Sequence, residues 1–241
     1  MSSPAKPVLV IGGTRGTGLL IAQHLSRMGR LVRVMARDPN AARRRLDAAV
    51  EIVPGDLTRP ESLVVAIGGV AAVILTAGCR SGRFATEREI KATEFEGVRS
   101  LLGALRDAGF GGRLLYMTSS GVGTPSQAAG ILNLYKGNTL RWRYRTETEI
   151  RSSGVDYTII RAGVLLNRPG GRRALRVTQR ALPLSPRYRI ARADVAEVFV
   201  AALDSTELSR ATFDVVWEPG RQRQPLANLF AEITPDKERD A

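Results

Sequence analysis

The stretch Val8-Leu9-Val10-Ile11-Gly12-Gly13-Thr14-Arg15-Gly16-Thr17-Gly18 lies almost at the start of the chain. Its first four residues are apolar and mostly β-branched, and they read as a strand buried on both faces, as in a parallel sheet. A glycine-rich turn follows, after which Leu20, Ile21, Leu25 and Met28 recur at helical spacing. Strand, glycine turn and helix in that order form the context in which a glycine motif reads as a dinucleotide site. Glycine lets the backbone turn tightly and approach a diphosphate, whose charge then sits among the unpaired N–H groups of a helix N-terminus. The spacing here, Gly12-x-x-x-Gly16-x-Gly18, differs from the commoner G-x-G-x-x-G. Gly12, Thr14, Arg15, Gly16, Thr17 and Gly18 are therefore candidate cofactor contacts.

Working outward, Gly29 fits the position just past the end of the first helix, and Leu31 to Ala36 reads as a second strand. A site that prefers NAD usually offers an acidic residue at the end of this strand, for the ribose 2′-hydroxyl. Here the strand runs into Arg37, and Arg15 lies in the glycine loop. Two guanidinium groups at those places suit a 2′-phosphate, because they bind its oxygens by paired, charge-assisted hydrogen bonds. Asp38 competes with that reading, but Pro39 behind it marks Asp38 as the N-cap of a helix running to about Asp47. The expected cofactor is NADP.

Val50 to Val53 is a third strand, closing into Gly55-Asp56-Leu57. Asp56 stands where a carboxylate accepts from an adenine amino group, and equally where a turn aspartate belongs; Leu57 follows it. Thr58-x-x-Glu61 with Pro60 reads as a capping box. Val70 to Thr76 is a fourth buried strand, with Thr76, Ala77 and Gly78 at the sheet edge where ligands of open α/β sheets bind. A polar loop at Arg80 to Arg83 precedes a long helix from about Thr86 to Ala108, and a fifth strand, Arg113 to Thr118, delivers Thr118, Ser119 and Ser120 to the same edge. Residues 121–138 read as a loop, and about 139–153 as a helix. Asp156 to Ile160 is a sixth strand ending in Arg161-Ala162-Gly163. The basic segment 164–190 reads as irregular and substrate-facing. A helix from Arg192 to about Leu203, a late strand at 212–216, a short helix at 225–233 and a frayed end from Pro235 to Ala241 complete the chain. Six βα alternations imply a Rossmann-type doubly wound parallel sheet of order 3-2-1-4-5-6. We read residues 1–241 as one domain, with 164–190 and the C-terminal part forming the substrate side.

Composition narrows the function. His24 is the only histidine and lies on the first helix, which excludes Ser-His-Asp hydrolysis in practice. Cys79 is the only cysteine, so no intramolecular disulfide and no thiolate metal cluster forms, and no metal site is expected. The formal charge of +13 comes from basic residues spread along the whole chain, of which only Lys6, Lys91, Lys136 and Lys237 are lysines. No nucleic-acid motif accompanies them, and an arginine-rich genome yields the same bias. No apolar run reaches the roughly 18 residues of a membrane span, and the polar start does not read as a signal peptide, which makes the cytoplasm the expected location.

Taken together, Gly12 to Gly18, Gly55-Asp56-Leu57, Thr118-Ser119-Ser120 and the tail Trp142 to Glu147, Ser153-Gly154, Tyr157 to Gly163 and Arg192-Ala193-Asp194-Val195-Ala196 resemble the short-chain dehydrogenase/reductase superfamily. Within it they are similar to the atypical branch of NmrA-like and Tic62-like NAD(P)-binding proteins. The resemblance covers nearly the whole chain. It implies an NADP-binding domain, a catalytic serine at the end of the fifth strand, and a lysine at the position held by Arg143, preceded four residues earlier by a proton-donating tyrosine. This chain departs on both counts, with Thr139 and Arg143, and no tyrosine has a lysine four residues later. Arg143 keeps a positive charge able to grip the ribose, although arginine does not replace a tuned lysine neutrally.

The leading expectation is an NADP-dependent oxidoreductase that transfers hydride between NADPH and a small carbonyl, quinone, flavin or conjugated acceptor. Ser119, Ser120, Tyr144 or water supplies the proton, and Arg143, Arg161, Ala162 and Gly163 flank the nicotinamide. Two alternatives stand beside it. One is a non-catalytic NADP-binding regulator or redox sensor, with a protein partner. The other is a non-redox isomerase or cyclase that reuses the nucleotide pocket.

Overall fold

The computed structural model describes residues 5–79, 85–135 and 137–236. The first half alternates β1 (Val8–Ile11), α1 (Gly16–Arg27), β2 (Val32–Ala36), α2 (Pro39–Arg43), β3 (Glu51–Pro54), α3 (Glu61–Ile67) and β4 (Ala72–Leu75). A long helix follows in three parts, α4 (Glu87–Lys91), a π-helical turn (Ala92–Glu96) and α5 (Gly97–Asp107). Then come β5 (Arg113–Ser119), α6 (Gln127–Tyr135), α7 (Thr139–Ser152), β6 (Asp156–Ala162), β7 (Val164–Leu166), β8 (Leu175–Thr178) and β9 (Arg189–Ala191). The chain closes with α8 (Arg192–Asp204), β10 (Ala211–Trp217) and α9 (Leu226–Phe230).

The sheet order is β3-β2-β1-β4-β5-β6-β10-β8. It contains the expected 3-2-1-4-5-6 core, extended by the parallel β10 and by β8, which pairs antiparallel with β10. The apolar runs of β1 and β4 have a simple cause. Val8, Val10, Ala72 and Ile74 join one core with α1 and α8, while Leu9, Ile11, Val73 and Leu75 join a second core with α3 and α5. A strand covered on both faces must be apolar at every position, not at every other one. α1 ends as its sequence dictates: Gly29 takes φ +74°, Gly29 N donates to Ser26 O at 2.9 Å, and Arg30 N donates to Leu25 O at 3.0 Å. These two bonds satisfy two of the last carbonyls of the helix.

Several expected elements differ. Residues 121–138 are not a loop throughout, because α6 forms within them. Ser126 Oγ accepts from Ala129 N at 3.1 Å, starting the helix, and left-handed Gly137 and Asn138 break it from α7. The segment 164–190 is not wholly irregular: β7 and β9 pair with each other and β8 joins the main sheet. The capping box expected at Thr58 and Glu61 is absent; the Thr58 hydroxyl instead donates to Asp56 Oδ1, and Pro60 caps α3 without a side-chain bond. The box forms at Thr86 and Glu89. α2 stops at Arg43, short of Asp47. Asp236, expected in a frayed end, accepts hydrogen bonds from Thr212 N, Thr212 Oγ1, Tyr157 Oη and Arg151 Nε. The polar loop read at Arg80 to Arg83, and the end from Lys237 onward, lie outside the described residues. Among the described residues no helix is long and apolar enough to cross a membrane, and no cluster of three His, Cys, Asp or Glu is placed to hold a metal.

Candidate functional site

The crevice opens where the sheet order reverses, between the C-terminal ends of β1 and β4. Gly12 leaves β1 at φ +90°, and a Cβ there would stand 2.6 Å from Ala77 N. A Cβ on Gly18 would collide with Thr76 Oγ1 and the Gly12 carbonyl. These two glycines let α1 seat directly on the strand ends. Thr76 locks that edge, donating from N (2.9 Å) and from Oγ1 (3.2 Å) to Ile11 O. Arg15 precedes α1 in extended conformation and no side chain caps the helix, so the first-turn N–H groups face the crevice without a capping oxygen. A cradle that side chains would fill, beside uncapped donors, fits a diphosphate.

At the next corner, Asp38 Oδ1 accepts from Ala41 N at 2.9 Å and caps α2, as the sequence implied. Arg37 and Arg15 are exposed, and among the described residues neither has an ion-pair partner. Arg45, which the sequence reading missed, donates from Nη1 to Thr14 O at 3.3 Å and brings a third guanidinium to the glycine loop. Its only signal was the run Arg43-Arg44-Arg45, and only the turn after α2 aims it there. Asp56 Oδ1 accepts from Thr58 N and Thr58 Oγ1, both at 2.9 Å, which is turn chemistry. Leu57 is buried in the core beside α5.

The third corner gathers Ala77, Gly78, Thr118, Ser119 and Arg143. Arg143 on α7 forms a two-point pair with Glu94, Nε to Oε2 at 3.0 Å and Nη2 to Oε1 at 3.1 Å. Thr139 Oγ1 donates to Glu94 Oε2 at 2.6 Å, and Cys79 N to Oε1 at 3.3 Å. Glu94 therefore holds both residues standing where the family resemblance places tyrosine and lysine. It projects from the π-helical turn, a local widening frequent at functional sites. Burial alone raises its carboxyl, but the Arg143 charge and these hydrogen bonds hold it below the usual range. Glu94 left no trace in sequence, since its partners come from distant segments. Arg143 Nη2 would lie 3.4 Å from a Cβ on Gly78, so the guanidinium sits at the strand-end crevice.

Arg161 is engaged by two buried carboxylates. Its Nε donates to Glu147 Oε1 at 3.1 Å and its Nη2 to Oε2 at 2.5 Å, with Nη1 4.0 Å from Asp214 Oδ2. Ala162 O accepts from Ser120 N at 2.9 Å, and Gly163 N donates to Val215 O at 3.1 Å, so those backbone groups close the strand ends. Ser119 Oγ donates to Ser120 O at 3.0 Å. Ser120 Oγ, Thr118 Oγ1 and Asp214 Oδ1 are buried without a partner at normal hydrogen-bond geometry among the described residues. Burial pushes the Asp214 carboxyl up to about 6, against the opposing pull of the nearby Ser120 hydroxyl and the Arg161 charge. Beyond Ser120 the edge continues into a groove of about 510 Å³ lined by Gly121, Gly123, Pro125, Ala129, Leu140 and Tyr144. Tyr144 is 51% exposed.

The family model described as NAD(P)H-binding matches residues 12–206. The chain belongs to that NAD(P)H-binding family. It is 30% identical to sanguinarine reductase from Eschscholzia californica over 272 aligned positions, covering 97% of this chain and 98% of that protein. Among solved structures it resembles a Bacillus halodurans protein provisionally described as an NAD-dependent epimerase/dehydratase (22% identity, 95% and 100% coverage, TM-score 0.78). It also resembles an anaerobillin reductase from Escherichia coli O157:H7 (21% identity, 90% and 100% coverage, TM-score 0.73). At those identities the two structures share the fold.

Proposed function

We propose that this chain is an NADPH-dependent reductase acting on a small conjugated acceptor. The observation that carries the cofactor choice is the capping of α2 by Asp38, which engages the carboxylate at the end of β2; we assign the exposed Arg37 and Arg15 to the 2′-phosphate. When bound, the nicotinamide supplies hydride. The chain's part is to hold it along the strand ends, with Arg143 beside its ribose and the acceptor in the groove behind Ser120. The reductase assignment draws support from full-length similarity to sanguinarine reductase. Of Ser119, Ser120 and Tyr144, we assign proton donation to Tyr144, because it lines the groove while Ser119 is engaged by the Ser120 carbonyl and Ser120 is sealed.

A second reading is favoured by one observation: Thr139 and Arg143 are both tied to Glu94, so the tyrosine–lysine device of the catalytic relatives is missing. On that reading the chain binds NADP and signals its redox state to a protein partner. Calorimetry and a turnover screen separate the two. Arg37→Ala weakens NADPH by about 1.5–3 kcal/mol, the range for hydrogen bonds to a charged group, and leaves NADH unchanged. Equal weakening of both refutes the NADP assignment. NADPH consumption with quinones, carbonyls or flavin selects the enzyme; tight binding with none selects the regulator.

A further inference from the structure

Arg192 opens the motif Arg192-Ala193-Asp194-Val195-Ala196, which the reading above leaves without a role. Asp194 has one inside the fold: its Oδ2 accepts from Trp217 Nε1 at 2.7 Å and its Oδ1 from Gly171 N at 2.8 Å, which anchors the start of α8. That anchor aims Arg192 across to the glycine loop. Its Nη1 is 3.5 Å from Thr17 Oγ1 and would lie 3.7 Å from a Cβ on Gly16, directly at the first turn of α1. Its Nε donates to Asn167 Oδ1 at 2.9 Å. Among the described residues no carboxylate pairs with it.

This placement is electrostatically adverse as it stands. Arg192 is the first residue of α8 and lies against the first turn of α1, so two helix N-termini direct partial positive charge at one guanidinium. Its protein partners, Thr17 and Asn167, are neutral. A cation held by neutral groups beside two helix N-termini gains stability when an anion arrives, and the glycine cradle on the same turn fits a diphosphate. We infer that Arg192 is a direct ligand of the cofactor's diphosphate, contributed by the second half of the fold. The inference rests on the reading of the glycine loop as an NAD(P)H site. It also means that the β7–β9 pair, which Asn167 and Arg192 follow, is tied to cofactor binding.

The test is calorimetric and needs no turnover. Arg192→Gln is titrated with NADPH, NADH, ADP and adenosine 2′-monophosphate, beside the wild type and Arg37→Ala. Arg192→Gln is expected to weaken NADPH, NADH and ADP about tenfold, in line with loss of one charge-assisted bond, and to leave adenosine 2′-monophosphate unchanged. Arg37→Ala gives the complementary pattern, weakening NADPH and adenosine 2′-monophosphate alone. Unchanged ADP affinity in Arg192→Gln, or a loss confined to adenosine 2′-monophosphate, overturns the inference while the site reading stands. A wild type that binds none of the four overturns both. Should Arg192→Gln melt early, Asn167→Ala decides, since it keeps the charge and removes its tether: a threefold or greater loss for ADP supports the inference and no loss overturns it.

Discussion

Asp214→Asn tests the electrostatics of the buried layer beneath the candidate site. Asp214 is 1% exposed on β10, and the charged groups facing it are Arg161, with Nη1 at 4.0 Å, and Glu147, which already holds Arg161. Its carboxyl is pushed from 3.8 up to about 6, mainly by burial. Because the folded value lies above the unfolded one, the native state binds the extra proton, and the associated stability is fully present below pH 3.8 and is lost as pH rises to about 6. Two units at about 1.36 kcal/mol each give about 3 kcal/mol, an upper figure for the cost of the ionised carboxylate at pH 7. Asparagine fills the same space, never ionises and still offers Arg161 a carbonyl oxygen. The variant is therefore expected to be more stable than wild type at pH 7, by up to about 3 kcal/mol, with the difference vanishing near pH 4. Urea unfolding of both proteins at half-unit steps between these pH values gives the difference directly. A variant less stable than wild type at pH 7 would show that the Arg161 attraction outweighs burial, and would refute the reasoning.

Two further outcomes follow from the same geometry. Glu94→Gln leaves the three-quarters-buried Arg143 without its counter-charge, so urea unfolding should show a loss of about 3 kcal/mol, at the low end for a broken buried pair because Arg143 is partly solvated; an unchanged midpoint would mean the pair contributes nothing. Tyr144→Phe should lower kcat for a ketone acceptor by about 100-fold, the low end for a general acid, with the dissociation constant for NADPH unchanged; equal kcat would pass the proton role to water.

What the sequence disclosed and what it hid divide along a physical line. β1, α1 and the Asp38 cap were legible because each is decided by neighbours within a few residues: an apolar run, a glycine where φ is positive, a carboxylate three residues from the amide it caps. α6 was not, because Gly123, Pro125 and Asn138 at its flanks gave the whole stretch a loop composition, whereas Ser126 capping and the Gly137–Asn138 break act at single positions. The Asp236 latch was hidden for the opposite reason. A lone aspartate in a charged tail carries no local signal, and its partners Tyr157, Arg151 and Thr212 stand on three separate elements. At the site, the glycine loop was readable and Glu94 was not, since a buried glutamate in an amphipathic helix reads as a solvated one until α7 is laid across it.

Glu94 also bears on which acceptors the proposed reductase serves. In the tyrosine–lysine arrangement an uncompensated ammonium lowers the phenol, so that it donates a proton as hydride arrives. Here the Arg143 charge is paired with Glu94 at 3.0 Å, and the carboxylate opposes its pull on a neighbouring phenol. At Tyr116, buried beside this pair, burial drives the hydroxyl above the ordinary tyrosine value, the Arg143 charge pulls the other way, and Glu94 and Glu147 oppose that pull. A ketone needs a proton as its oxygen gains charge, and the chain carries Thr139 and Arg143 in place of the tyrosine–lysine pair that supplies it. A quinone or flavin delocalises the charge that hydride delivers and can take its proton later from water. On the proposed reading, the substitution of Thr139 and Arg143 thus shifts the work from acid catalysis to positioning, and kcat with a quinone should exceed kcat with a simple ketone of similar size.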